Sequence, residues 1–444
     1  MTIRSSELLA AGPLDWSLLT GPVPVTIAVL GGLALAALCL SRRRNWWLRR
    51  GPLAVLVTVA ATWLITLWVD DWWQPFPDGL PSTTVLWIGV ALFGVFLALF
   101  RMPTLRWRGR LGALVAAVLV IVLSSAQINK EFQEYPTLRA TPGPWQVKVG
   151  GLDPNDTAKE KVVAVPAGKT LDQVWNPPAN LPTTGTVSTA DIPGTVSRFN
   201  ARDAYIYLPP AYRASPRPLL PVLVLMGGQP GSPEAWISSG GLAGIMDRFA
   251  AAHRGLAPVV AVVDPNGSTF GNTLCMDSKI AQAQTYLATD VPAWLHAHLQ
   301  LAADRKSWTA GGLSFGGTCS LQLAVNAPTV YGNFLDLSGQ DEPTLGSRSK
   351  TVSDAFGGDS AAFTRVNPLD VMKRTRFPDT AGAVVVGSGD STYRPQGQKV
   401  FAACKEAGMD MTYLELPGGH SWQVWKPGLE QELPWLARQS RLTG

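Results

Sequence analysis

Four apolar stretches, at roughly 18–40, 52–69, 83–100 and 111–126, occupy most of the first 126 of this chain's 444 residues. A helix that crosses a bilayer needs about 17–25 apolar residues. The first three stretches reach that length with no ionisable side chain inside, and the fourth is marginal at its ends. The pattern predicts an N-terminal α-helical transmembrane bundle of four spans over residues 1–126. The connectors predict its orientation. Residues 41–50 carry five Arg and residues 101–110 carry four, whereas the loop between spans two and three has Asp70, Asp71 and Asp78 with no Lys or Arg. Under the positive-inside rule both Arg loops are cytoplasmic, so the N-terminus and everything after residue 126 lie outside. Trp46, Trp47, Trp72, Trp73 and Trp107 fall at the span ends, where amphipathic rings favour the headgroup level. A cleaved leader is not expected, because no basic n-region precedes the first span and no clear cleavage site follows it. The spans carry none of the intramembrane charge that marks a transport path, so they read as an anchor.

Charge is unevenly divided. The chain is 16% charged, against about 25% for a typical soluble protein. Residues 1–126 hold ten Lys/Arg and five Asp/Glu, and the remainder holds 27 of each. The formal +5 therefore belongs to the membrane segment. The neutral remainder excludes a basic nucleic-acid-binding domain, so no nucleic-acid partner is expected.

Residues 127–195 are rich in Pro, Gly, Thr and Asn and read as a linker or small β-rich collar, with short strands expected at 147–149 and 161–165. From 196 to 444 short apolar runs alternate with amphipathic stretches. The runs lie at 204–208, 220–226, 258–263, 307–311, 333–337, 383–386 and 411–416; helices are expected at 242–253, 280–299, 318–326 and 396–408. Strands alternating with helices predict crossovers and a mostly parallel sheet covered on both faces.

The sharpest motif is G-L-S-F-G, Gly312 to Gly316, between an expected strand and an expected helix. Strand, tight turn and helix form the context that a nucleophile elbow requires, which makes Ser314 the candidate nucleophile. A hydroxyl needs a base to take its proton, and that base needs an orienting acid. Of four His, only His420, in L-P-G-G-H-S-W, follows Ser314. His253, His296 and His298 all precede it. In α/β hydrolases the order is Ser, acid, His. Asp390, in V-V-V-G-S-G-D after the strand at 383–386, is the favoured acid; Asp341 and Glu342 compete. Two backbone amides should hold the oxyanion: Phe315, following the nucleophile, and Gly228 in the M-G-G-Q-P-G loop, with Gln229 next in line. The chain has no H-E-x-x-H, C-x-x-C, P-loop or dinucleotide fingerprint, so neither a metal nor a cofactor is expected. Cys39 lies in a span. Cys275, Cys319 and Cys404 lie in the external domain, where a Cys275–Cys319 bridge is one open arrangement and at least one thiol remains.

The stretch running from C-M-D-S-K at Cys275, through Q-T-Y-L-A-T-D-V-P-A-W-L and G-G-L-S-F-G-G-T, to F-L-D-L-S-G resembles the esterase D and antigen 85 (mycolyltransferase-like) branch of the α/β hydrolases. So does H-S-W-Q-V-W at His420. The resemblance covers roughly residues 195–435. It implies an α/β-hydrolase fold, with Ser314 as nucleophile, His420 as base and Gly228 N–H as oxyanion donor. Two places depart from the mycolyltransferase pattern. That family's acid is a Glu a few residues further on, where this chain reads S-T-Y-R-P, and Asp390 is more like esterase D. The family's sugar-holding Asp and Arg are replaced by Met226 and Gln229. Gln229 and Trp422 are the candidate substrate contacts. The expected function is a membrane-anchored, outward-facing serine esterase that hydrolyses acyl esters of envelope lipids or glycolipids. The alternatives are an acyltransferase moving an acyl chain between glycolipids and a non-catalytic envelope scaffold.

Overall fold

A computed structural model describes residues 12–74, 78–141, 143 and 149–444. The chain divides into two compact units, Met1–Gln146 and Val147–Gly444. In the first unit four helices are long and apolar enough to cross a membrane: α1 (Pro22–Cys39), α2 (Trp46–Trp73), α3 (Ser82–Thr104) and α4 (Trp107–Phe132). α4 packs against α1 and α3, and α3 packs against α2. Small residues set the close approaches, as expected where lipid competes for every apolar contact. A Cβ on Gly31 would sit 2.5 Å from Leu123 Cβ, and one on Gly94 would sit 2.7 Å from Val120 Cγ1. The Arg-bearing connectors are tied to helix ends. Arg50 donates to the Phe100 carbonyl at 3.1 Å, and the Trp46 indole donates to the Cys39 carbonyl at 2.7 Å. α4 continues six residues past the apolar stretch, because Gln127, Lys130 and Glu131 favour helix as readily as they favour water.

The second unit is built on one eight-stranded sheet. Its strands are β1 (Thr186–Ala190), β2 (Ala204–Leu208), β3 (Val222–Met226), β4 (Val259–Val263), β5 (Trp308–Leu313), β6 (Asn333–Leu337), β7 (Ala381–Gly387) and β8 (Asp410–Leu416). The spatial order is β1-β2-β4-β3-β5-β6-β7-β8; β2 is antiparallel to β1 and β4, and all other pairs are parallel. Strands β3 to β7 are buried on both faces, which accounts for their continuous Val, Leu and Ala runs.

Seven strands lie where the apolar runs predict. The eighth, T-V-S-T-A at β1, is too polar to register as a run and is held at the sheet edge by β2. Of the collar strands, Val147 and Lys148 lie outside the described residues, and Val149 is not in a strand. The 161–165 segment contributes one bridge, Val162 to Arg217.

The helices α5 (Leu242–Ala252), α6 (Val291–His298), α7 (Phe315–Asn326), α8 (Tyr393–Glu406) and α9 (Trp422–Gln439) belong to the same unit. The helix expected at 280–299 is interrupted: a π turn at Tyr286–Asp290 precedes α6. Pro292 has no N–H to bond four residues back, so the ladder widens there. α9 contains Pro427 and Pro434 and was not legible as a helix. Trp422, Trp425, Leu429, Leu433 and Leu436 recur at helical spacing and are buried, and Gly428 lies against Val385 and Leu337. This burial outweighs the missing backbone donors.

Between β6 and β7 the chain leaves the sheet as three short helices, Arg348–Phe356, Ser360–Val366 and Pro368–Met372. Their base is an ionic network. Arg348 donates to Glu342 at 2.7 Å and to Asp370 at 2.5 Å, while Lys373 and the Asn367 amide also donate to Asp370. Burial pushes the Asp370 carboxyl up, but these donors outweigh it and hold the group down at about 2. A carboxyl depressed in the folded state adds stability that is complete above its unfolded value and disappears as pH falls through the folded one. Asp370→Asn is therefore expected to cost about 2 kcal/mol at pH 7. In denaturant titrations of the detergent-solubilised protein, the gap from wild type should close between about pH 4 and pH 2.

Candidate active site

β5 ends at Leu313, and the next residue adopts φ 53°, ψ −118° before α7 begins at Phe315. A residue with a Cβ pays for that backbone conformation, and a sharp strand-to-helix turn needs it. Its surroundings must be small. A Cβ on Gly312 would lie 2.5 Å from the Gly316 carbonyl carbon, and one on Gly316 would lie 2.3 Å from the Met226 carbonyl oxygen. The turn is therefore closed against β3, and Ser314 is carried to the C-terminal edge of the sheet, only 9% exposed.

His420 comes from the loop between β8 and α9, and Asp390 from the loop after β7. The structure brings all three side chains together. His420 Nε2 lies 2.9 Å from Ser314 Oγ, and His420 Nδ1 lies 3.0 Å from Asp390 Oδ2. The other Asp390 oxygen accepts from the Tyr393 amide at 2.9 Å and the Thr392 amide at 3.2 Å. Burial raises the Asp390 pKa, but the His420 hydrogen bond and charge, with the two amides, outweigh it and hold the carboxyl below its ordinary value. An ionised Asp390 accepts a hydrogen bond from Nδ1–H, and in that tautomer Nε2 faces the serine hydroxyl as an acceptor.

The imidazole is clamped. Tyr393 stacks on it with centroids 3.9 Å apart, and Trp425 meets it edge-on at 5.0 Å. Trp422 is 1% exposed, wedged between Trp236 and Trp425. Its place is thus behind the histidine, in the packing that supports Trp425, and not on a surface that a substrate would touch. Gly228 stands beside the serine: a Cβ there would be 3.4 Å from Ser314 Cβ and 2.9 Å from Leu313 Cδ1. Gln229, the adjoining residue, donates from its side chain to the Phe270 carbonyl at 3.2 Å. The competing acids are engaged elsewhere, Asp341 with Lys399 and Glu342 with Arg348. His253 and His298 are stacked on Phe249 and Trp294 of their own helices, and His296 lies against Trp308. Among the described residues no group of three or more His, Cys, Asp or Glu side chains is placed to hold a metal ion.

Two features escaped sequence reasoning. Tyr393, the stacking partner of His420, sits in the S-T-Y-R-P segment with no local mark of its role. Asp336 lies in β6 with no exposure at all, accepting from the Gly339 amide at 2.6 Å beside Gly317. Burial pushes its carboxyl up to about 7. A charged residue inside an otherwise apolar strand, N-F-L-D-L, was the available signal. The Cys275–Cys319 pair is a disulfide with Cα atoms 5.3 Å apart, and Cys39 and Cys404 are free.

With this geometry in hand, comparisons place the chain among known proteins. Residues 200–436 match the esterase family. Over 433 residues the chain is 37% identical to an uncharacterized protein of Corynebacterium glutamicum, covering 95% of this chain and 96% of that one. The likeness thus runs through both units. A ferulic acid esterase structure is similar with a TM-score of 0.50 at 17% identity, covering 58% of this chain and 98% of that one. An S-formylglutathione hydrolase from Agrobacterium tumefaciens gives 0.48 at 18% identity, covering 59% and 97%. The chain belongs to the esterase family of α/β hydrolases and is a serine hydrolase.

Proposed function

We propose that this protein is a membrane-anchored, extracytoplasmic esterase that uses Ser314, His420 and Asp390 to hydrolyse acyl esters of envelope lipids or glycolipids. The observation that carries the chemistry is the hydrogen-bonded chain from Ser314 Oγ through His420 to Asp390. Ser314 Oγ attacks the ester carbonyl carbon while His420 Nε2 takes its proton, and Asp390 holds the resulting imidazolium. The Phe315 and Gly228 amides receive the oxyanion. The intermediate collapses to an acyl-enzyme, and His420 gives its proton to the departing alcohol. Water then attacks the acyl carbon, His420 takes one of its protons, and the second collapse returns that proton to Ser314 as the acid leaves.

Three observations support the location and substrate class. Four helices are long and apolar enough to span a bilayer, with nine Arg in the connectors assigned to one side. The Cys275–Cys319 bridge belongs in an oxidising compartment, which agrees with a catalytic unit outside the cytoplasm. A tethered enzyme meets membrane esters at high effective concentration, which favours a lipid substrate.

A fluorophosphonate probe applied to native membranes should label the wild type and lose all labelling in Ser314→Ala and His420→Ala. Absence of labelling in the folded wild type would sink the catalytic assignment. Asp390→Asn should keep the protein folded and lower ester turnover about a thousandfold or more, because the imidazole loses its oriented tautomer. Protease added to intact spheroplasts should degrade the catalytic unit; protection there with digestion in inverted vesicles would reverse the proposed orientation.

A further inference from the structure

The end of β6 and the nucleophile turn are latched together at two points. The Ser314 amide donates to the Leu337 carbonyl at 2.8 Å, and the Gln340 amide donates to Thr318 Oγ1 at 2.8 Å. The Thr318 amide in turn donates to the Ser314 carbonyl, closing the first turn of α7. Between the latches the two backbones touch. A Cβ on Gly339 would lie 2.6 Å from the Thr318 nitrogen and 2.8 Å from the Gly317 carbonyl carbon.

Asp336 is the side chain at the centre of this contact. Its Oδ1 accepts from the Gly339 amide at 2.6 Å, and a Cβ on either Gly317 or Gly339 would lie 2.4 Å from that same oxygen. Both turns thus close onto one carboxyl oxygen. The other oxygen, Oδ2, is buried and has no hydrogen-bond partner among the described residues. A buried carboxylate is stable where donors meet its oxygens, and here a single amide does so. The titratable group that faces it is the Cys404 thiol of α8, which burial and the Asp336 charge push up, so that it is neutral. β5, α7 and β7 carry no titratable side chain apart from the disulfide-bonded Cys319. Asp341, beyond the turn, is paired with Lys399 of α8. With burial pushing it up to about 7, the Asp336 carboxyl changes charge near neutrality.

We propose that Asp336 is a positioning residue for Ser314: protonated, it lets the two turns close on each other, and its ionisation shifts the first turn of α7 and slows attack on the ester. The proposal rests on the esterase reading above and adds a positioning group to it. Loss of the proton puts charge on Oδ2, where no donor stands, and a buried charge draws in a donor or water at the expense of the packing around it. The backbones in contact with the carboxyl are those of Gly317 and Gly339, and Ser314 is latched to both turns. A misplacement of about 1 Å at a reacting atom costs about a hundredfold in rate. Asp390 is held below its ordinary value and stays ionised throughout this range, so the triad's own acid contributes no alkaline loss.

The test follows full-length protein in detergent from about pH 5 to about pH 9, measuring kcat and KM for a p-nitrophenyl acetyl ester and the rate of fluorophosphonate labelling. Beyond the acid limb, wild-type kcat and labelling rate should fall with a midpoint near pH 7, by about tenfold or more at the alkaline end. Asp336→Asn is neutral at every pH and should show no such fall. Its kcat relative to wild type should climb about tenfold or more across the range, while KM stays within about twofold. Hydrogen–deuterium exchange of residues 314–318, corrected for its intrinsic pH dependence, should accelerate about tenfold with rising pH in the wild type and not in Asp336→Asn. A wild type with no alkaline loss overturns the proposal whatever the variants do. So does an Asp336→Asn profile parallel to the wild type's, at the same height or lowered by one factor at every pH, which is the mark of packing alone. If Asp336→Asn does not fold, Asp336→Ser, also neutral and able to accept from Gly339, must level the alkaline limb in the same way. Failure of the esterase reading shows differently, as a wild type that takes no probe at any pH while its exchange still responds to pH through Asp336.

Discussion

The backbone at Ser314 is the constraint on which the rest of the catalytic unit depends. A conformation near φ 53°, ψ −118° costs about 1–3 kcal/mol for a residue with a side chain. It persists because buried elements over-determine it from both sides. β5 is fixed between β3 and β6, and α7 is buried along nearly its whole length. Gly312 and Gly316 let the turn close against the Met226 carbonyl, and Gly317 lets it close against Asp336. Any Cβ at these three positions would push the helix off the strand and move the hydroxyl away from His420. The large parallel core thus serves the site by holding one strained residue still.

Two carboxyls at this edge of the sheet show how environment assigns chemical state. Asp390 is nearly as buried as Asp336, yet it is held ionised by an imidazole and two amides. Asp336 accepts from one amide, and burial outweighs it, pushing the carboxyl up to about 7. The aromatic clamp of Tyr393 and Trp425 completes the arrangement by limiting the imidazole to one plane, and Trp422 and Trp236 stiffen the clamp from behind.

The first unit follows a different rule. Its helices meet through Gly31 and Gly94, the small-residue contact that apolar helices use in lipid, where burying Leu or Val gains little. Large apolar side chains such as Leu56, Trp63 and Leu114 remain on the outside of the helices. That distribution suits a hydrocarbon solvent and would be an aggregation hazard in water.

The sequence by itself determined the four long apolar helices, the alternation that makes a parallel sheet, and the serine turn, because each is written in contiguous residues: apolar length, period and glycine spacing. Chain order left His420 as the one candidate base, and the structure sets its Nε2 2.9 Å from Ser314 Oγ. Asp390 was favoured over Asp341 and Glu342, and the structure pairs those two with Lys399 and Arg348 and sets Asp390 against His420. Tertiary structure alone decided what contiguous residues do not encode. A strand as polar as T-V-S-T-A is a strand only because β2 lies beside it. A helix with two prolines forms only because its tryptophans and leucines cover β6 and β7. Trp422, close to His420 in sequence, was turned into the packing behind it. The pairing of Cys275 with Cys319 spans 44 residues, and only the fold brings their Cα atoms within 5.3 Å. Local geometry is fixed by neighbours in the chain, whereas ion-pair choice, edge strands and cross-links are fixed by neighbours in space.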